Sequence, residues 1–306
     1  MSRSLFIPPP GPSELRALPK GPLKRVKPEA LFSPEALRRA WLKVKATGGG
    51  AGVDGMTIGR FESELEPNLA RLRSEILSGR YRPQKVKRLL VPKPNGGLRP
   101  LALWALRDKV VQRVVYDCIE PYFERQFLAC SYGFRPGRGV ADVIKAVTAQ
   151  REAHRRWVAD IDIKDCFDSL DSGLMLRFVR RQVRDRLILK LIKAWLGARV
   201  FNALSGPRTT AGASQGAVIS PLLANVYLHQ VDLQLIRQGY HLIRYADDAL
   251  ICCRRKEEAR HALEATAKAL QRVRLELNPH KSGVVHFDEG FKFVGVFFLR
   301  NEHFYL

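Results

Sequence analysis

An α+β fold, an antiparallel sheet with helices packed on one side, is predicted by three features of this 306-residue chain. Two segments are strand-like: "WVADIDIKDCF", a buried strand running into a turn, and "IRYADDALICC" from Ile243 to Cys253, two β-rich arms folded about adjacent aspartates. Long stretches of helical periodicity stand between and after them. "SGVVHF" and "FKFVGVFFL" then add strands near the end. The order strand, helices, hairpin, helix, strands suits an antiparallel sheet backed by helices, and 46% hydrophobic content supplies its core.

Residues 1–30, with "IPPPGP" and "LPKGPLKRVKP", read as an extended, basic, proline-rich tail. "SPEALRRAWLKVKA" opens with Ser33 as N-cap and Pro34 at the first helical position, and "TGGGAGVDG" breaks that helix. "FESELEPNLARLRSEILSG" is helical, with Pro67 restarting or kinking it and Gly79 ending it. In "KVKRLLVPKPNGGLRPLAL", two apolar arms flank a tight Pro-Asn-Gly-Gly turn, with Lys93 and Arg99 on either side. "SGLMLRFVRRQVRDRLILKLIKAWL" reads as one amphipathic helix with Leu176, Val179, Val183, Leu187 and Leu191 as its apolar stripe. Arg177, Arg180, Arg181 and Arg184 form another face, equally suited to solvent and to tracking phosphates. "KEEARHALEATAKALQRVRLEL" is a further long helix.

Lys and Arg number 52 against 30 Asp and Glu, a net charge of +22 that attracts a polyanion, with nucleic acid the leading partner. No run approaches the ~18 apolar residues of a membrane span and no secretory signal opens the chain, so no membrane role and a cytoplasmic location are expected. Cys118, Cys130, Cys166, Cys252 and Cys253 are odd in number and lack CxxC spacing, which argues against a disulfide framework or a zinc site and for core packing.

Adjacent aspartates repel, and a site that keeps both ionised holds a cation to offset them. Asp247 and Asp248 gain a partner in Asp162, read as the most strand-embedded acid of "ADIDIKDCFD". Three carboxylates from two strands suit two divalent cations, and all-oxygen ligands suit Mg²⁺. Asp160 is a rival because alternation puts it on the face of Asp162. Asp165 and Asp168 read as turn or capping residues.

Nine blocks occur in one order: "GAGVDGMTI", "VPKPNGGLRPLAL", "RDKVVQ", "SYGFRPGRG", "DIKDCFDSL", "SQGAVISPLLANVYL", "YADD", "LNPHKSG" and "FKFVGVFF". From about Leu37 to Phe298 the chain thus resembles the reverse transcriptases of bacterial group II introns. Trp104 departs from the family, where an Ile-Pro pair is usual. The resemblance implies a right-hand polymerase. Fingers with an N-terminal helical extension would occupy 31–142, and palm 143–306, with interleaved finger helices at about 172–212. The thumb, maturase, DNA-binding and HNH regions are expected to be absent, since the chain stops at Leu306.

The family pattern selects Asp162 over Asp160, because an aromatic, Phe167, follows five positions later. It implies Asp162, Asp247 and Asp248 as catalytic residues and, with Ile163, as ligands of two Mg²⁺ ions, Mn²⁺ being the alternative. Phe167 would pack beneath the incoming sugar and exclude a 2′-hydroxyl, which disfavours an RNA-directed RNA polymerase. Gln215 and Gly216 would line the nascent base pair, Lys93 and Arg99 grip the triphosphate, and Lys281 protonate pyrophosphate. Arg135 and Arg138 would contact template or primer backbone. The implied activity is RNA-directed DNA synthesis, with an RNA template, a DNA or RNA primer and dNTPs as partners. A separate protein supplying a thumb or an integrase is a further expected partner. Spacer acquisition from RNA beside a CRISPR integrase is the favoured setting, against an intron maturase or splicing cofactor and a phage-defence enzyme.

Overall fold

The computed structural model describes residues 21–48, 50–92, 98–202, 206–209 and 216–306. Residues 21–125 with 172–223 form one compact unit, and residues 126–171 with 224–306 a second. The first unit opens with α1 (Pro28–Leu31), α2 (Pro34–Thr47), α3 (Ile58–Ser63), α4 (Leu65–Leu77), β1 (Val86–Pro92), β2 (Leu98–Leu103) and α5 (Leu106–Glu124). The chain passes to the second unit for α6 (Val140–Glu152), β3 (Trp157–Ile161) and α7 (Cys166–Ser169). It returns for α8 (Ser172–Arg180), α9 (Arg186–Leu196), β4 (Arg199–Asn202), β5 (Gly206–Thr209) and the start of α10 (Ser220–Arg237). The rest of α10, β6 (His241–Tyr245), β7 (Asp248–Cys253), α11 (Lys256–Arg272), β8 (Gly283–His286), β9 (Phe291–Phe293), β10 (Val296–Leu299) and β11 (Glu302–Tyr305) complete the second unit.

Local chemistry sets several boundaries. The Ser33 hydroxyl accepts the Ala36 N–H at 3.2 Å, a cap that stabilises α2 by about 1 kcal/mol. Pro67 falls in the first turn of α4, where its missing N–H costs nothing, so a new helix starts there. The single helix expected over 172–196 is instead two. Asp185, 4% exposed, accepts the Ile188 N–H at 2.9 Å and caps α9, so the chain leaves the helix after Arg180 and re-enters with a new phase. The buried set therefore includes Met175, Phe178, Ile188 and Ile192 beside the expected Val179, Val183 and Leu191, while Leu176 and Leu187 are half-buried. Asp185 also accepts the Val26 N–H at 3.0 Å. Leu23, itself buried, pairs with Val183. The stretch from residue 21 is thus packed rather than a free tail, because its main-chain groups are satisfied by the break between α8 and α9.

In the first unit the sheet order is β2-β1-β4-β5, with β1 and β4 parallel, an exception to the antiparallel expectation. The second unit carries an antiparallel sheet in the order β6-β7-β3-β8 and a three-stranded meander β11-β10-β9. Val143, Ile144 and Val147 of α6 pack with Val158, Ile243, Leu250 and Phe287 and with the meander's Phe291, Phe293 and Phe298. This apolar core holds three strands whose ends carry the acids.

Candidate active site

β3 ends at Ile161, and Asp162 is the next residue. Asp160 is the acid inside the strand, which corrects the expectation that Asp162 is the more embedded. The β3–β7 ladder pairs Asp160 with Leu250 and Ile161 with Ala249. Carried one step further, that register sets Asp162 opposite Asp248. The "LNPHKSG" loop clamps this strand end from the other side. Ile163 bridges Leu277, the Asn278 N–H donates to the Asp162 carbonyl at 2.8 Å, and the Asp162 N–H donates to Ser282 Oγ at 3.0 Å. Asn278 Nδ2 donates to Asp162 Oδ2 at 3.0 Å, and Lys281 Nζ stands 3.4 Å from Oδ1.

Asp247 occupies a two-residue hairpin turn. Tyr245 pairs with Asp248, leaving Ala246 and Asp247 between the strands, and Ala246 takes φ +58°, the left-handed conformation that matches strand twist. Gly133 presses against this turn: a Cβ there would stand 2.4 Å from the Ala246 nitrogen. Beneath it, Arg244 is 3% exposed and fully engaged. Its Nε and Nη2 donate to the two oxygens of buried Asp232 at 2.7 and 2.6 Å. Nη1 donates to Asn225 Oδ1 at 2.9 Å and to the Ala246 carbonyl at 2.8 Å, and Nη2 also to Ser131 Oγ at 2.8 Å. Asn225 in turn donates to the Gly133 carbonyl at 2.8 Å. A guanidinium's fixed fork can satisfy so many acceptors at once, and the turn rests on it.

The acids lie close enough to raise one another's pKa. Burial first, then the charges of Asp247 and Asp162, push Asp248 up to about 6. Burial, followed by Asp248 and Asp162, lifts Asp160 to about 6. Asp247 is raised chiefly by burial and also by Asp162, against the opposing pull of Arg244 and Lys281. Mutual repulsion among oxygen-only donors is the chemistry a hard divalent cation relieves. Among the described residues no three His, Cys, Asp or Glu side chains are arranged as a metal cage, and the Asp162 carboxylate is held by Asn278 and Lys281.

A family profile described as Reverse transcriptase (RNA-dependent DNA polymerase) matches residues 91–298, which take in every element of this site. The chain belongs to the reverse transcriptases. This reverse transcriptase is 34% identical to Protein YkfC of Escherichia coli K12 over 80% of its length and 74% of that protein's. It is 32% identical to the group II intron-encoded protein LtrA of Lactococcus lactis subsp. cremoris, over 60% of the chain and 31% of LtrA. Among solved structures, a chain of a partial Cas6-RT-Cas1–Cas2 complex shares the fold at TM-score 0.50 and 24% identity, over 80% of this chain and 41% of that one. No helix among the described residues is long and apolar enough to cross a membrane.

Of the other sequence-predicted residues, Phe167 sits half-buried in α7, just beyond the Asp162 strand end. Asp165 adopts φ +43° as the residue before α7, and its carbonyl accepts the Asp168 N–H at 3.0 Å, so both serve the turn. In the other unit, Gly216 takes φ +114°, and a Cβ there would lie 2.3 Å from the Ala102 carbonyl oxygen, so only glycine permits that approach to β2. Gln112 holds the same stretch by accepting the Val218 N–H at 2.9 Å. Arg99 lies in β2 opposite Val91. Lys93, Gln215 and the Arg99 side chain fall outside the described residues. Arg177, Arg180, Arg181 and Arg184 are all exposed.

The expectation that Arg135 faces a nucleic-acid backbone is corrected, while half-buried Arg138 is partly engaged by the protein itself. Arg135 is 7% exposed, and its Nη1 donates to the Leu128 and Ser131 carbonyls at 2.7 Å each. Arg138 donates to the Ala129 carbonyl at 2.9 Å and lies over the Tyr132 ring. Both guanidiniums fold the 127–133 segment that carries Ser131 and Gly133. Sequence reasoning missed Arg244, Asp232, Asn225 and Gly133. The available signal was a charged residue in an apolar strand pattern, "LIRYA", immediately before the aspartates.

Proposed function

We propose that this reverse transcriptase extends a primer 3′ end with deoxynucleotides on an RNA template, with Asp162, Asp247 and Asp248 as its catalytic carboxylates. The observation that carries the reading is the convergence of three acids at one sheet end, where burial and, after it, the charges of Asp247 and Asp162 raise the pKa of Asp248 to about 6. Asp162, the main-chain oxygen of Ile163, Asp247 and Asp248 would hold two divalent cations, Mg²⁺ first and Mn²⁺ as the alternative. When bound, such ions supply Lewis-acid activation of the 3′-hydroxyl and charge neutralisation at the leaving pyrophosphate.

The chain's own residues do the rest. Asn278 and Ser282 orient Asp162, and Arg244 holds the Asp247 turn. Lys281, whose cation neighbours Asp162, would donate a proton to the departing pyrophosphate. Phe167 would lie beneath the sugar and select against a 2′-hydroxyl. Gly216 with Gln215 would border the new base pair, and Lys93 and Arg99 would balance triphosphate charge. In this reading the unit of residues 126–171 and 224–306 is the palm, and the other unit supplies the fingers. The setting proposed is RNA spacer acquisition with an integrase partner. It rests on the sequence resemblance and is tested by the genes that flank this one.

The decisive experiment is primer extension on an RNA template by Asp162→Ala and Asp247→Ala proteins, with Mn²⁺ binding followed by electron paramagnetic resonance. Losing a metal-holding carboxylate forfeits several kcal/mol of transition-state stabilisation, so rates fall on the order of 10³-fold. Mn²⁺ affinity falls with them. Primer–template affinity holds, since deleting an acid does not repel a polyanion. Undiminished extension by either variant sinks the assignment, and Asp160→Ala retains measurable extension.

A further inference from the structure

The strands that end at the carboxylates border, at the opposite end of their sheet, a cavity of about 310 Å³. Arg155, Tyr240, His241, Cys252, Cys253 and Arg254 are among its lining residues. Trp157↔Cys253 is the β3–β7 pair at this end and Ile161↔Ala249 the pair at the other, four residues or roughly 13 Å along the strand. The cavity is therefore distinct from the candidate active site.

We propose that this cavity is a phosphate-binding site that takes a phosphomonoester, carried on a mononucleotide or on the 5′ end of a nucleic acid. Three cationic or cation-capable side chains reach it from three directions: Arg155 from the segment before β3, His241 from the first residue of β6, and Arg254 from the end of β7. Neither the Arg155 nor the Arg254 guanidinium makes a hydrogen bond or ion pair among the described residues. Glu258, the only acid in the lining, is already engaged, accepting from Arg255 Nε at 2.8 Å and from the Arg254 N–H at 3.1 Å.

The positive field reaches the imidazole. Desolvation, and after it the charges of Arg155 and Arg254, lower the His241 pKa from its ordinary value. Unpaired arginines are common on a chain of net charge +22; what marks these two is that they line one cavity together with a histidine. Guanidinium forks match phosphate oxygens two at a time, and an imidazole N–H adds a third donor. Helix α11 starts two residues after Arg254, so its N-terminal dipole adds to the field. The volume lies at the small end of ligand pockets, which suits a phosphate with part of a sugar rather than a large cofactor.

The test uses the full chain with three probes: inorganic phosphate, a deoxynucleoside monophosphate, and a pair of RNA oligonucleotides differing only in a 5′-phosphate or 5′-hydroxyl. Binding is measured by calorimetry and by thermal shift. Wild-type protein is expected to bind phosphate or monophosphate saturably, and Arg155→Ala or Arg254→Ala to weaken that binding by about tenfold each, as loss of a charge-assisted contact does. Arg71→Ala on α4, which removes the same charge elsewhere, controls for net charge. A preference for the 5′-phosphorylated oligonucleotide that disappears in both pocket variants identifies nucleic-acid ends as the source. Phosphate and monophosphate binding without that preference identifies the free nucleotide. Absence of saturable binding by every probe overturns the proposal, and so does equal weakening by Arg71→Ala.

Discussion

At one end of the β6-β7-β3-β8 sheet stand Asp162, Asp247 and Asp248; at the other stand Arg155, His241 and Arg254. The same strands serve both, yet the ends are built differently. The acids are fixed by main chain and buried side chains: the Asn278–Ser282 loop grips Asp162, and Arg244 and Gly133 hold the Asp247 turn from below. At the basic end the two guanidiniums carry no partner among the described residues and depend on their stems for position. Preorganisation is needed where small displacements decide a rate, and it can be relaxed where a flexible cation closes on an anion.

The harshest test of this contrast is Arg244→Ala. Removing one partner of a buried ion pair strands Asp232 without a counter-charge and leaves Asn225, Ser131 and the Ala246 carbonyl without a donor. Unfolding in urea is expected to show a loss of about 3–5 kcal/mol, with extension activity lost as well. Arg244→Lys recovers only part of either, because one ammonium cannot reach five acceptors. Full stability in the alanine variant would mean that the turn does not rest on this network.

A milder pair compares glycines at the two ends. Gly133→Ala drives a Cβ to 2.4 Å from the Ala246 nitrogen, so the Asp247 turn must shift, and extension should fall up to about 100-fold while the protein stays folded. Gly239→Ala meets nothing within 4 Å and costs only its φ of +84°, about 1–2 kcal/mol, with extension retained. Equal losses of activity from the two would erase the distinction between a framed end and an open one.

The smallest effect is a pH dependence at the basic end. His241 has a folded pKa below its unfolded value of 6.5, so the unfolded chain takes up a proton first as pH falls. Its contribution to stability is whole above pH 6.5 and is lost on acidification through that value. The melting temperature of wild type should fall slightly more than that of His241→Gln between pH 7.5 and pH 5.5, and parallel curves would show that the two arginines do not act on the ring.

Much of this was legible locally. Ser33 and Pro34 announced α2, and the β1–β2 hairpin and the hairpin around Asp247 followed from apolar arms about turn residues. The carboxylates stood out because adjacent acids in an apolar strand pattern need a reason. Other features were hidden because they depend on residues remote in sequence. Asp185 carries a local cap, accepting the Ile188 N–H three residues on, but its other oxygen is taken by the Val26 N–H, 159 residues away, and nothing local announces that partner. Arg135 is a different case, since its partners are near in sequence: it reads as a phosphate contact because no residue pattern shows that its guanidinium folds inward onto the Leu128 and Ser131 carbonyls.

By itself, then, the sequence determined the class of fold and, through the order of its blocks, the family, and it singled out the adjacent acids and the cationic excess as candidates, because charge, periodicity and turn chemistry act over a few residues. Only the tertiary structure decided that Asp160 lies inside β3 while Asp162 stands at its end, that Arg244 underpins the turn, and that Arg155, His241 and Arg254 share one cavity. Strand register and the burial of a charge are fixed by partners from other elements: Ile161 meets Ala249, and Arg244 finds Ser131 as well as the nearer Asp232. No local pattern encodes which partner that will be.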